Sequence, residues 1–259
     1  MNILGLSCFY HDSAACLLID GEIKSAVAEE RFSKIKHDNG FPTMASQFCL
    51  ANSGKTIYDL DLIAFYDKPV LKFERTLFTH FRYFPRSIGA FLRFMPNWIN
   101  KTLSIPYHIN TNLSTECPIY FVNHHESHAS SAFFPSPFDH SLIFTADGVG
   151  DWATTSWGVG ENSTISLKQE IQFPHSLGLL YSTITAYLGF YPNGGEGKVM
   201  GLAAYGDPDL RDKFNNLISN KASQSKNINL VLETIKFKID PKKFSLFLET
   251  ESPIITYRN

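Results

Sequence analysis

The sequence has 259 residues, enough for one large domain or two small ones with a core that needs no disulfide scaffold. It is 44% hydrophobic and rich in Phe and Tyr, so it is globular rather than disordered. Its 23 basic residues against 25 acidic ones leave no basic excess, which argues against a general nucleic-acid-binding protein. Cys8, Cys16, Cys49 and Cys117 include no CxxC pair and read as reduced thiols of a cytoplasmic protein. The N-terminus has no basic region ahead of its apolar run, so no signal peptide is expected. The longest charge-free stretch, 171–195, is broken by Ser, Thr and Pro and is too short in apolar residues for a spanning helix.

In chain order, the first expected elements are apolar strands at 2–8, 14–19 and 23–28, with Asp20-Gly21 as a hairpin turn between the last two. A helix follows Pro42 over 43–51, and 62–66 is a short strand. Residues 70–105 are aromatic, basic and helix-like, with Pro85 and Pro96 as breaks. Three readings stand: a substrate lid, a membrane-surface helix pair, or a helical insertion whose aromatics pack on the body. A strand at 118–122 leads into a helix that Asn123 can cap, with Glu126 at the capping-box position. The opening pattern then returns: residues 3–22 align without a gap on 142–161, with Asp12 on Asp151, Ala14 on Ala153 and Gly21 on Gly160. This suggests two copies of one α/β unit. No glycine follows Gly206, and 207–259 is rich in Lys, Asn and Ser.

Four segments carry chemistry. In NHHESHAS, His124 and His128 lie i, i+4 on one helix face, a spacing that lets two imidazoles bind one divalent metal; His125 is a possible substitute. In TADGVGD, Asp147 and Asp151 stand on a loop with Gly148 and Gly150, where amides can approach a phosphate and carboxylates can hold a metal. Asp147 would complete a two-His, one-carboxylate set with His124 and His128. NGGEGKVMGLAAYG is a glycine-rich stretch around Gly195, Gly197, Lys198 and Gly201; it lets backbone lie against a nucleotide, or it is a connection between two helices. In CFYHDSA, His11 and Asp12 follow a buried strand, where α/β sheets place their sites. Downstream, Lys34, Lys36 and His37 either neutralise a phosphate or form a solvated helix start.

These segments, together with AEERFSKIKHDNGFP and HSLGLLYS, resemble in sequence and order the carbamoyltransferases of the nodulation-protein-U and cephamycin type. The resemblance covers most of residues 1–206. It implies an actin-like ATPase fold, a duplicated ribonuclease-H-like α/β domain. The first subdomain would span 1–138, with a helical insertion at about 70–116, and an incomplete second one 139–259. It implies transfer of a carbamoyl group from carbamoyl phosphate, through ATP and a carbamoyl-adenylate, to a hydroxyl of a sugar or secondary metabolite. It places His124, His128 and Asp147 on a divalent metal, usually iron, and His11 and Asp12 near the acceptor as catalytic residues. Gly148, Gly150, Asp151, Gly195, Gly197, Lys198 and Gly201 fall on the nucleotide side. The family is roughly twice as long, so this chain is expected to be its N-terminal portion, and a separate chain with a YrdC-like adenylate-forming domain is a possible partner. A catalytically inactive metal- or nucleotide-binding fragment, or half of a split enzyme, is the alternative. Ala204 departs from the usual GLAPYG.

Overall fold

The computed structural model describes residues 1–206, so the expected start of the second subdomain is seen only in part and the 207–259 tail lies outside the described residues. The chain divides into two compact units, Met1–His128 and a second beginning at Ala129.

The first unit is built on a five-stranded sheet in the order β3-β2-β1-β4-β5. Its strands are β1 (Asn2–Ser7), β2 (Ala14–Ile19), β3 (Glu22–Ala28), β4 (Leu62–Phe65) and β5 (Ile119–Phe121). β1, β2 and β3 form an antiparallel meander; β4 and β5 join it in parallel with β1. The expected hairpin turn forms at Asp20 and Gly21, both at positive φ, as a right-twisted two-residue turn requires. Strand periodicity of two explains the core. Leu4 and Leu6 of β1, Ala15 and Leu17 of β2, and Ile63 and Phe65 of β4 are buried, while their neighbours in sequence are less so. After the four-residue turn α1 (Glu30–Ser33), helix α2 (Thr43–Asn52) adds Ala45, Cys49 and Leu50 to this cluster.

α2 lacks a side-chain cap of its own. Instead the buried carboxylate of Glu29 accepts the amides of Met44 at 3.1 Å and Ala45 at 2.7 Å, placing a negative charge at the helix N-terminus. Glu29, at the head of the segment that carries Lys34, Lys36 and His37, is therefore a structural cap.

Between β4 and β5 lie α3 (Pro69–Arg82), α4 (Ile88–Asn97), a π-helical turn (Trp98–Thr102) and α5 (Ile105–Leu113). α5 contributes Ile105 and Ile109 to the core. Phe73 packs on Trp98 and His80 on Phe91. Yet Phe78, Phe81, Phe84 and Phe94 are exposed, as is Leu92, which runs against the reading of an insertion whose aromatics pack on the body.

In the second unit β6 (His140–Ala146), β7 (Ala153–Glu161) and β8 (Thr164–Gln172) form an antiparallel sheet in that order. Its strands follow the same antiparallel succession as β1, β2 and β3, but the pairing is offset: Ile3 lies opposite Leu18, whereas Leu142 lies opposite Val159, two residues beyond the position the sequence alignment gives. Helices α7 (Leu177–Tyr187) and α8 (Glu196–Ala203) follow. The glycine-rich stretch spans the connection from α7 into α8, with Gly195 before the helix and Gly197, Lys198 and Gly201 within it. No described helix is long and apolar enough to cross a membrane.

Candidate functional site

The loop after β1 is held against a second loop by backbone pairs, Phe9 N–H to Asn39 O at 3.0 Å and Ser13 N–H to Asp38 O at 2.7 Å. The buried Ser13 hydroxyl donates to Gly40 O at 2.6 Å. This brings His37 to Asp12. One carboxylate oxygen of Asp12 contacts His37 Nδ1 and the other His11 Nδ1, each at 2.9 Å. The His37 bond is the main cause holding the Asp12 carboxyl below the usual carboxylate range; partial burial opposes it and His11 reinforces it. Asp12 is therefore an anion that orients two imidazoles, and with Nδ1–H on the carboxylate each ring keeps Nε2 as its basic atom.

At the end of β4 the buried Asp67 forms an ion pair with Lys72 of α3. The Lys72 ammonium lies 5.3 Å from the Tyr66 ring centroid and 5.7 Å from that of Tyr10. Burial, and then the neighbouring Asp67 charge, push the Tyr66 hydroxyl and the Cys8 thiol up, so both stay protonated. The Ser127 hydroxyl donates to Tyr66 O at 2.8 Å, tying helix α6 (His124–Phe133) to this strand end. Sequence reasoning missed Tyr66, Asp67 and Lys72, although a strand ending in Tyr-Asp before a helical Lys was visible.

On α6, the i, i+4 pair converges. His124 Nε2 and His128 Nε2 are 3.0 Å apart, with ring planes at 79°. Two imidazoles bound about 2.1 Å from one ion, at right angles around it, would have their nitrogens about 3 Å apart, so the pair fits a shared divalent cation. His125 is buried, its ring centroid 5.9 Å from that of His124 and 6.1 Å from that of His128, and it does not join the Nε2 pair. The Asn123 side-chain amide donates to the Glu126 carboxylate at 3.2 Å, joining the two residues at the start of the helix.

In the second unit Asp147 follows β6. Its amide donates to Thr154 O at 2.9 Å, and its Oδ1 accepts the Gly148 amide at 2.6 Å. Gly150 N–H donates to Ala153 O at 2.9 Å, closing a turn that buries Asp151. α7 holds this loop in a way the sequence did not reveal. The buried Ser176 caps α7 by accepting the Leu179 amide at 3.0 Å and donates its own proton to Gly148 O at 2.5 Å. A Cβ on Gly178 would stand 2.7 Å from Asp147 O and 2.8 Å from Gly148 N, so only glycine lets the helix approach so closely.

Farther along α7, Ser182 donates to Glu196 Oε1 at 2.8 Å; the carboxylate also accepts the amides of Asn193 and Gly194, each at 2.8 Å. The Asn193 amide, then the Ser182 hydroxyl, hold the Glu196 carboxyl at about 2. Gly195 is required by packing, since a Cβ there would meet Tyr191 O at 2.7 Å, whereas Gly197 and Gly201 face open space. The structure thus groups Asp147, Gly148, Gly150 and Asp151 in one loop, and Gly195, Gly197, Lys198 and Gly201 on or beside one helix.

Residues 2–254 match the family described as carbamoyltransferase N-terminus. The chain belongs to this family. It is 45% identical over 238 residues to an uncharacterized protein, sll1178, of Synechocystis, covering 88% of this chain and 39% of that protein. It is 38% identical over 222 residues to the nodulation protein NolNO of Sinorhizobium fredii, covering 82% and 31%. A match of 49% over 90 residues to the nodulation protein NolO of Bradyrhizobium diazoefficiens covers 34% and 16%. The chain therefore spans well under half the length of these relatives.

Proposed function

We propose that this chain is the acceptor- and metal-binding part of a cytoplasmic O-carbamoyltransferase. The observation that carries the reading is the His124–His128 pair, whose nitrogens stand at the spacing of two ligands on one ion. Asp147 is the proposed third ligand, and two histidines with one carboxylate suit iron with positions left open. The bound cation would supply Lewis acidity toward the carbamoyl donor.

The acceptor is a hydroxyl of a sugar or secondary metabolite. Its oxygen bonds to the carbamoyl carbon of a carbamoyl-adenylate made from carbamoyl phosphate and ATP; the bond to the AMP phosphate breaks and AMP leaves. The hydroxyl proton goes to Nε2 of His11 or His37, with Asp12 stabilising the imidazolium that results. The low Asp12 pKa favours this assignment over Asp12 as the base. Gly148, Gly150 and Asp151, with Gly195, Gly197, Lys198 and Gly201, would face the nucleotide. Adenylate formation is assigned to a YrdC-like domain elsewhere in the enzyme. The same reading takes the β1–β3 and β6–β8 meanders as the two copies of an actin-like fold, with the β4–β5 helices as the insertion.

Cobalt(II) titration of the purified chain, followed in the visible spectrum, tests the metal assignment. His124→Ala, His128→Ala and Asp147→Asn should each weaken binding about 10- to 100-fold. Unchanged spectra and affinity in all three would remove the metal centre. Carbamoyl transfer by the chain supplemented with the remainder of a full-length relative tests the acceptor side. There His11→Ala, His37→Ala and Asp12→Asn should lower kcat while leaving cobalt affinity intact.

A further inference from the structure

The helices between β4 and β5 have a chemistry that carbamoyl transfer does not use. Phe81 is 74% exposed, Leu92 65% and Phe84 63%; Val70, Phe78 and Ile88 are also exposed. Phe78 and Phe81 are three residues apart on α3, and Ile88 and Leu92 four apart on α4, so each pair lies on one helical face. Phe81, Phe84, Ile88 and Phe91 also line a cavity of about 160 Å³ whose walls are almost wholly apolar. It suits the end of an acyl chain better than a polar ligand.

The charge here differs from that of the whole chain, whose net is -2. Between residues 69 and 113 the only acidic residue is Glu74, against Lys72, Arg75, Arg82, Arg86, Arg93 and Lys101. Lys72 is taken by Asp67. Among the described residues, Arg82, Arg86, Arg93 and Lys101 enter no ion pair. Exposed aromatic and aliphatic side chains interleaved with unneutralised arginines need a partner that is apolar beneath and anionic on top.

We infer that α3 and α4 dock on the surface of an anionic lipid bilayer, with their exposed Phe, Leu and Ile side chains at the acyl boundary and their arginines on lipid phosphates. Helices that carry exposed apolar side chains and arginines together can lie in the interface plane, which agrees with the absence of a spanning helix among the described residues. The arginine stems reach upward from an apolar face to a phosphate layer. A covering protein segment would have to supply both an apolar face and several carboxylates, whereas a bilayer offers both without a matching shape. The inference stands independently of the carbamoyl-transfer reading.

The test is co-sedimentation of the chain with vesicles of phosphatidylserine and phosphatidylcholine, against phosphatidylcholine alone. Partition should be roughly tenfold or more stronger on the anionic vesicles and should fall as salt rises, because each arginine near such a surface is worth about fivefold. The Arg82→Glu, Arg86→Glu, Arg93→Glu variant should lose the preference for anionic lipid, and the matching triple lysine variant should keep it. Phe81→Ser with Leu92→Ser should weaken binding to both vesicles. These are exposed positions, so circular dichroism melting should be unchanged. Equal partition on the two lipids, or binding indifferent to these variants, overturns the inference. So does loss of vesicle binding when the remaining part of a full-length relative is added, which would make the face an internal protein interface.

Discussion

Gly178→Ala tests how tightly α7 is seated against the aspartate loop. The added methyl would stand 2.7 Å from Asp147 O, 2.8 Å from Asp147 C and 2.8 Å from Gly148 N. All three are backbone atoms, so no side chain can swing aside. Reaching ordinary contact requires helix and loop to part by about 0.7 Å, and overpacking of this kind costs about 1–3 kcal/mol. Alanine's better helix propensity returns at most about 1 kcal/mol. A net loss of about 1–2 kcal/mol lowers Tm by roughly 2–8 °C in a chain of this size.

The displacement also matters chemically. Metal–ligand distances tolerate about 0.2 Å, so moving the Asp147 backbone by several tenths of an ångström should weaken cobalt binding roughly tenfold or more. Thermal melting by circular dichroism reads the first effect and cobalt titration the second. Gly197→Ala is the control: its site opens on empty space within α8, so it should stabilise by up to about 1 kcal/mol. If Gly178→Ala melts with the native chain and binds cobalt equally well, the close seating of α7 on the loop is refuted. A lowered Tm with unchanged affinity would keep the packing argument and sink Asp147 as a ligand.

Glu29→Ala removes the acceptor from two amides at the start of α2 and should cost about 2–4 kcal/mol, read as a lower urea midpoint; an unchanged midpoint would mean that water caps the helix equally well. Glu196 carries a pH signature. Its folded pKa is depressed from the ordinary 4.5 to about 2, so its contribution is present above the unfolded value and is lost as pH falls through that window. After solvent screening that contribution is about 1–2 kcal/mol. The gap in stability between the native chain and Glu196→Gln should therefore close as the pH falls toward 2; parallel curves would count against the carboxylate's role.

What the sequence disclosed was local. The apolar strands at 2–8 and 14–19, the Asp20-Gly21 turn and the helix after Pro42 each depend on near neighbours, and each forms within a residue or so of where it is expected. His124 and His128 were legible for the same reason, since i, i+4 spacing is itself a statement about proximity. The features that escaped depend on partners far along the chain. Glu29 is a cap only because α2 begins beside it, and Ser176 is a tie only because the Gly148 carbonyl arrives from 28 residues earlier. The glycine-rich segment left two readings open for a different reason. Gly195 answers to packing against Tyr191, while Glu196 binds the Asn193 and Gly194 amides ahead of it, and composition does not show where the connection ends and the helix begins.

The chemistry gathers at strand ends. His11 and Asp12 follow β1, Tyr66 and Asp67 follow β4, and Asp147 follows β6; β1 and β4 run parallel, so their ends open on the same edge of one sheet. Each end is then fixed by a helix or loop from later in the chain: His37 on Asp12, Lys72 on Asp67, and Ser176 with Gly178 on the Asp147 loop. These second partners decide what the first residues can do. A solitary Asp12 would be an ordinary carboxylate and a candidate base. With His37 and His11 bonded to its two oxygens, its carboxyl is held below the usual range, which in the proposed transfer favours it as the group that orients the imidazoles. Of the two first-loop candidates, the proposed base is therefore His11 rather than Asp12, and it is joined by His37, 25 residues away in a segment whose sequence suggested a phosphate-neutralising run or a solvated helix start.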